Sequence, residues 1–219
     1  PAGAAAAAVP TRLAKDAGIP VVNVDRNADG APGDTFIATD NATSAYEVCK
    51  YIIGKAEGKG QMLMVHGQKG TTPEVERTKG CMKAIGENPG VELVAEQWSE
   101  QWSQAEGLNI TQNLLQANPD VSIVFAQADG LALGAAQAVK VSGAQGVIVG
   151  GFDGDTTALP ILAEGGFAAT ATQQVRGIGR LAVDSAIKLA AGETLPAEQL
   201  LPGFLTTPEN APEFVANHP

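Results

Sequence analysis

Cysteine and histidine are scarce: the 219 residues include two of each. That count excludes a disulfide-dense scaffold, and no Cys/His pair shows metal-ligand spacing, so no metal and no cofactor is expected. There is no G-x-S-x-G motif, and one of the two histidines, His218, is penultimate, so the chain reads as a binder and not an enzyme. Basic residues are outnumbered, 14 Lys and Arg against 24 Asp and Glu, giving a formal charge of −10. Every approach to a polyanion would begin with repulsion, which disfavours nucleic acid and anionic membrane surfaces and favours neutral or cationic ligands, so no nucleic-acid partner is expected. No apolar run approaches the roughly 20 residues of a spanning helix. The alanine run at 4–8 is too short and lacks the basic flank of a signal peptide, so any secretion signal is expected to have been removed.

The stretch that organises the rest is VIVGGFDGD at 147–155. Three apolar positions run into two glycines and an aromatic, and a carboxylate then appears where a buried parallel strand must emerge. Ligands of open α/β sheets collect outside those strand ends, so Asp153 is a natural acceptor for ligand hydroxyls, the alternative being a cap for a helix at 156–164. The arrangement recurs. PVVNV at 20–24 runs into Asp25 and Arg26, QMLMV at 61–65 into His66, and VSIVFA at 121–126 into Gln127, Ala128 and Asp129. Four apolar strands ending in polar groups indicate a shared polar cleft.

Along the chain, Val9, Leu13 and Ala17 recur at helical spacing after a short loop, and Gly18 stops the helix. DRNADGAPGDTF at 25–36 matches the opening of a calcium loop, but its twelfth position is Phe36, not a bidentate Glu, so a polar turn is expected. Asn41 caps a helix to Ile53 with Tyr46, Cys49 and Ile53 on one stripe. Thr72 caps the next, with Pro73 first and Arg77 one turn inside, aimed over the strand ends or paired on the surface with Glu74 or Glu76. Cys49 and Cys81 lie on these two helices. A bridge would close a loop of about 30 residues and contribute roughly 3 kcal/mol; two buried free thiols are the other reading.

A strand at 91–95 enters EQWSEQWSQ, which holds both tryptophans of the chain. One is expected to plug the loop from below and the other, Trp102, to face a ligand, since indole packs on the C–H face of a sugar or polyol. Leu108, Thr111 and Leu115 mark a further helix. Asp129 is expected to cap its successor, which Gly143 ends. A helix at 156–163 and a short strand at 167–172 lead to Gln173 and Gln174. GIGRLA at 177–182 imitates a dinucleotide fingerprint, but no strand after it carries the acid, so it reads as glycine packing at the start of a helix reaching Ala191. The irregular remainder reads as a crossing segment and a loosely patterned end. Alternating helices and buried strands make this an α/β chain with a doubly wound parallel sheet.

IPVVNVDRN, GTTPEVERTKG, LNITQNLLQANPDVSIVFAQADGLALGA and VGGFDG followed by AATATQQ together resemble the ribose-type periplasmic sugar-binding proteins of ABC importers, a fold shared with the effector domains of LacI-type repressors. The resemblance covers nearly the whole chain. It implies two Rossmann-like lobes with parallel sheets, joined by crossings near 39–40, 173–174 and 204. Residues 1–40 with 174–204 would form the N-terminal lobe and 41–173 with 205–219 the C-terminal lobe. The family carries about two further βα units before the position of Pro1, so an incomplete first lobe, a fragment and weak binding by this piece alone are expected.

The resemblance assigns ligand contacts to Asp25, Arg26, Arg77, Trp102 (Phe in ribose binders), Asp153 and Gln173. Ala128 stands where the family's VFAQND has Asn, which argues against ribose and for another pentose, a deoxy or methylated sugar, or a polyol. The implied protein is a periplasmic monomer that captures a sugar or polyol and delivers it to a membrane permease. The alternative, a LacI-type sensing domain, would need a basic helix-turn-helix and a VP-x-D turn where GAQGV stands.

Overall fold

A computed structural model of the chain describes residues 4–219, so the loop expected before the first helix lies outside the described residues. The order is α1 (Ala4–Asp16), β1 (Val22–Val24), β2 (Thr35–Thr39), α2 (Asn41–Lys55), β3 (Lys59–His66), α3 (Thr72–Gly86), β4 (Gly90–Trp98), α4 (Gln104–Ala117), β5 (Val121–Ala126), α5 (Asp129–Ser142), β6 (Ile148–Gly150), α6 (Leu159–Ala163), β7 (Thr170–Thr172), α7 (Val175–Ala190), β8 (Glu198–Leu201), β9 (Phe204–Thr206) and α8 (Ala211–Ala216). Two parallel sheets result, ordered β4-β3-β5-β6 and β1-β2-β8, with β7 and β9 forming an antiparallel pair.

The larger sheet is covered on both faces, which is why its strands read as unbroken apolar runs. Successive side chains alternate between the two faces. Leu63, Val65, Val124 and Ala126 pack with α4, α5 and α6. Met62, Met64, Ile123 and Phe125 pack with α2 and α3 on the other side. There α2 and α3 approach closely at Gly80, where a Cβ would collide with the Ala42 carbonyl, and Cys49 and Cys81 are joined by a disulfide. The chain leaves the three-stranded sheet after Thr39 and re-enters α7, which packs on β1 and β2, after Gln174. It passes from β8 to β9 at Pro202 and Gly203.

Several local expectations need correction. The cap of α2 is Asp40, whose carboxylate accepts from the Thr43 amide, and Asn41 is its first helical residue. The cap of α3 is Thr71, one residue earlier than expected. The helix expected at 156–163 is only the five-residue α6, because 156–158 remain a turn. On α1 the helical period holds but its stripe does not face a core: Val9 and Leu13 are 57% and 65% exposed, whereas Ala8 and Thr11 are buried. Gly143 ends α5 in the left-handed conformation, φ 74°, as a C-terminal glycine should.

Candidate functional site

The carboxyl ends of β1, β5 and β6 open onto one cavity of about 670 Å³, a size typical of small-ligand sites. Asp25 and Arg26 enter it directly after β1, Arg77 from the second turn of α3, Trp102 from the β4–α4 connection, Asp153 after β6 and Gln173 after β7. All six residues named from the sequence line this one space. So does Ala128, just after β5.

Arg77 is the centre of the site. Its side chain is 3% exposed, Nε donates to Asn41 Oδ1 at 2.8 Å, and Nη1 donates to the Gln127 carbonyl and pairs with Asp153 Oδ1 at 3.1 Å. The guanidinium lies over Phe152, 3.7 Å from the ring centroid, with Trp102 5.7 Å away. Burial lowers its pKa, opposed by the charges of Asp153 and Asp25, and an arginine stays protonated throughout. Of its two readings, the surface pair with Glu74 or Glu76 is therefore excluded.

Asp153 also accepts from Gln173 Nε2 at 2.7 Å, and Gln173 Oε1 accepts from Thr39 Oγ1 at 2.6 Å. The carboxyl keeps 22% of its side-chain area exposed, so it is held from behind and reachable from the front. Burial pushes its pKa up to about 6, with Arg77 pulling the other way.

Backbone geometry singles out the same residues. Among the described residues four non-glycines have positive φ, and three of them are Asp25 (67°), Trp102 (59°) and Asp153 (122°). Such conformations cost about 1–3 kcal/mol each and persist where the surroundings over-determine them, which is typical of ligand clamps. The Trp102 indole packs against Gly67, where any Cβ would collide with the ring. Its Nε1 is a buried donor without a hydrogen-bond partner among the described residues, and the buried Arg26 Nε has only its ion pair with Asp25 Oδ2. Arg26 also reaches Gln68 Oε1 at 3.2 Å, and the Asn27 amide donates to Thr72 Oγ1 at 3.0 Å, so the turn after β1 touches the start of α3 beside the cavity.

The strand-end reading fails at two places. His66 is fully buried and points away from the cavity: Nδ1 lies 3.1 Å from Thr78 Oγ1, Nε2 lies 3.0 Å from Glu96 Oε2, and the ring stacks on Trp98. Burial lowers its pKa against the pull of Glu96 and Glu74. Trp98 thus takes the plug position expected for one tryptophan, its Nε1 donating to Glu74 Oε1. Gln127 is buried too, donating to Thr78 Oγ1 and accepting from the Gly67 amide, so it braces the floor of the site without lining it.

Asp129 does not cap α5, whose N-cap is Ala128. Its carboxylate accepts from the Asp155 amide at 2.8 Å and from Thr170 Oγ1 at 2.6 Å, tying down the loop that carries Asp153. Burial, then the charge of Asp153, raises the pKa of Asp129 well above its usual value. In the turn at 25–36, Phe36 is buried in β2 and Asp25 pairs with Arg26 at 3.5 Å.

Reasoning from sequence missed Asn41, Phe152, Asp155, Arg176 and His218 around the site. Asn41 carried a signal misread as a helix cap, and Phe152 stands inside the GFD motif. His218 carried none.

The sequence matches the family described as "Periplasmic binding protein domain" over residues 1–194. It is 35% identical over 187 residues to the ribose import binding protein of Escherichia coli K12, covering 85% of this chain and 62% of that protein. It is 35% identical over 203 residues to the D-apiose import binding protein of Actinobacillus succinogenes, 90% of this chain and 65% of that one. Among solved structures, an ABC transporter solute binding protein from Bacillus halodurans with bound myo-inositol superposes with a TM-score of 0.90 at 28% identity, covering 98% of this chain and 75% of that one. The chain thus spans less than two thirds of the length of these two curated relatives.

Proposed function

The chain belongs to the periplasmic binding protein domain family, and from that premise we propose that it captures a small neutral sugar or polyol in the cavity around Arg77 and presents it to the membrane permease of an ABC importer outside the cytoplasm. The observation that carries this reading is the convergence of Asp25, Arg26, Arg77, Trp102, Asp153 and Gln173 on one cavity. Each has a role a polyol can use. The carboxylates accept from hydroxyls, the arginines donate to hydroxyl or ring oxygens, and the indole covers a carbon face. The reading involves no chemical step. It places residues 1–40 with 174–204 in one lobe and 41–173 with 205–219 in the other, acting as a monomer. Ligand contacts from both lobes stabilise the closed arrangement, because the open one makes only half of them.

Calorimetry of the full-length protein against pentoses, hexoses, alditols and inositols tests the reading. Saturable binding of at least one member is expected, and silence across the panel would overturn it. Ala128 lines the cavity where an amide would otherwise meet a hydroxyl. Ala128→Asn is therefore expected to move the preference toward ribose, and an unchanged ligand ranking would show that this position does not select.

A pH dependence follows from Asp153. Hydroxyl donors need the ionised carboxylate, and its pKa is about 6, so affinity is expected to fall as pH drops through that value. Ligand-free stability should respond in the opposite sense. A folded pKa above the unfolded value of about 3.9 means that the native state holds the proton more tightly. This carboxyl's stabilising contribution is then present at low pH and lost as pH rises through about 6. Titrations on both sides of that pH should show the affinity change in the native protein and a flat profile in Asp153→Asn. A flat profile in the unsubstituted protein would contradict the role given to Asp153.

A further inference from the structure

The final residues of the sequence, which carry no motif, reach the site. Helix α8 is anchored beside the larger sheet: Ala211 is fully buried in the core with Leu159 and Leu162, and Phe214 packs against it. From there the chain turns toward the cavity, which His218 lines. The imidazole Nε2 lies 2.7 Å from the Gly154 carbonyl oxygen, so this nitrogen carries hydrogen and donates. Gly154 sits between Asp153 and Asp155 at φ 71°, packed against Thr172, in the loop that aims the Asp153 carboxylate. One residue on, the Pro219 carbonyl accepts from the Arg176 amide at 3.2 Å. Arg176 is in the first turn of α7, where amides have no partner within the helix, and α7 packs on β1 and β2 of the other sheet.

We propose that His218 is a positioning residue of the cleft: it pins the 153–155 loop and directs the Pro219 carbonyl across to α7, so that residues 218–219 latch the two sheet layers together at the cavity's edge. The Gly154 bond lies within one layer and the Arg176 bond spans the two, on the same side as the 173–174 crossing. Any opening of the cleft that swings α7 from the 153–155 loop must lengthen or break the second bond. The latch therefore biases the molecule toward the closed arrangement before ligand arrives. The inference rests on the reading of the cavity as a cleft that opens and closes.

Its test needs no ligand. Both cysteines are in the disulfide, so Lys140→Cys on α5 and Lys188→Cys on α7, both exposed, accept spin labels selectively in the full-length protein. His218→Ala is expected to raise the ratio of long to short interlabel distances by roughly fivefold, the worth of one net hydrogen bond. His218→Gln, whose amide can donate to the same carbonyl, should restore the original distribution. An unchanged distribution in His218→Ala overturns the latch. So does an equal shift in both variants, which would mean that the hydrogen bond is not what holds the tail. Adding sugars to the labelled, unsubstituted protein tests the closing reading separately: silence there with a His218→Ala shift would retain the latch and remove the sugar.

Discussion

Replacing Asp153 by alanine is expected to abolish measurable sugar or polyol binding while leaving the fold in place. Truncating one partner of a buried, hydrogen-bonded charge pair at a binding site costs about 2–5 kcal/mol, and 1.4 kcal/mol is a factor of ten in affinity, so a loss of about thirtyfold to several thousandfold follows. The ligand forfeits its principal hydroxyl acceptor, while Arg77 stays held by Asn41 and the Gln127 carbonyl with the charge of Asp25 still opposing its own. Folding suffers much less, because a carboxyl whose pKa has been pushed up to about 6 is one that burial disfavours in its charged form. Calorimetry should show no heat of binding, with far-ultraviolet dichroism unchanged and the ligand-free melting midpoint within a few degrees. A variant that binds normally would remove Asp153 from the site.

The largest effect on stability is expected from the disulfide. Cys49 and Cys81 are separated by 32 positions, and both side chains are fully buried between α2 and α3. Chain-entropy estimates give about 3 kcal/mol for a 15-residue loop and 4.7 kcal/mol for a 100-residue loop, so this crosslink is worth between those figures. The native state is well prepared for it, since Gly80 already lets the α2 backbone come within contact of α3. The double substitution Cys49→Ala and Cys81→Ala should lower the unfolding free energy by roughly 3–4 kcal/mol in denaturant titrations. A loss below about 1 kcal/mol would mean that packing, and not the crosslink, holds the two helices.

The strands and the residues after them were legible because a sheet covered on both faces writes its strands as apolar runs, and the chain must turn polar where it leaves the core. Asp25, Arg26 and Asp153 were found in that way. Where their side chains point was less legible. The strand-end pattern puts His66 in the cleft, yet the two-residue period of β3 puts it on the face of Met62 and Met64, toward α3, where Thr78 and Glu74 receive it. Parity along the strand carries that information in the sequence itself. Asp129 shows a different limit. Its position fits a cap, and only the fold reveals that the Asp155 amide and Thr170 arrive to claim the carboxylate. At the start of α2, Asp40 and Asn41 are both good capping residues, so residue type alone does not choose between them. On α1 the spacing of Val9 and Leu13 establishes a helix but not what covers it. His218 had no local signal, because its partners lie 64 and 42 positions away, at Gly154 and, through Pro219, near Arg176.

The central claim is that these six side chains form a single receptor for one small polyhydroxylated molecule. A crystal structure of the full-length protein with the tightest-binding member of the sugar panel tests it most directly. The account predicts a ring inside the cavity, with hydroxyls within hydrogen-bond distance of Asp153 and Arg77 and a carbon face against Trp102. A sugar bound anywhere else on the molecule, with Asp153 and Arg77 untouched, would contradict it.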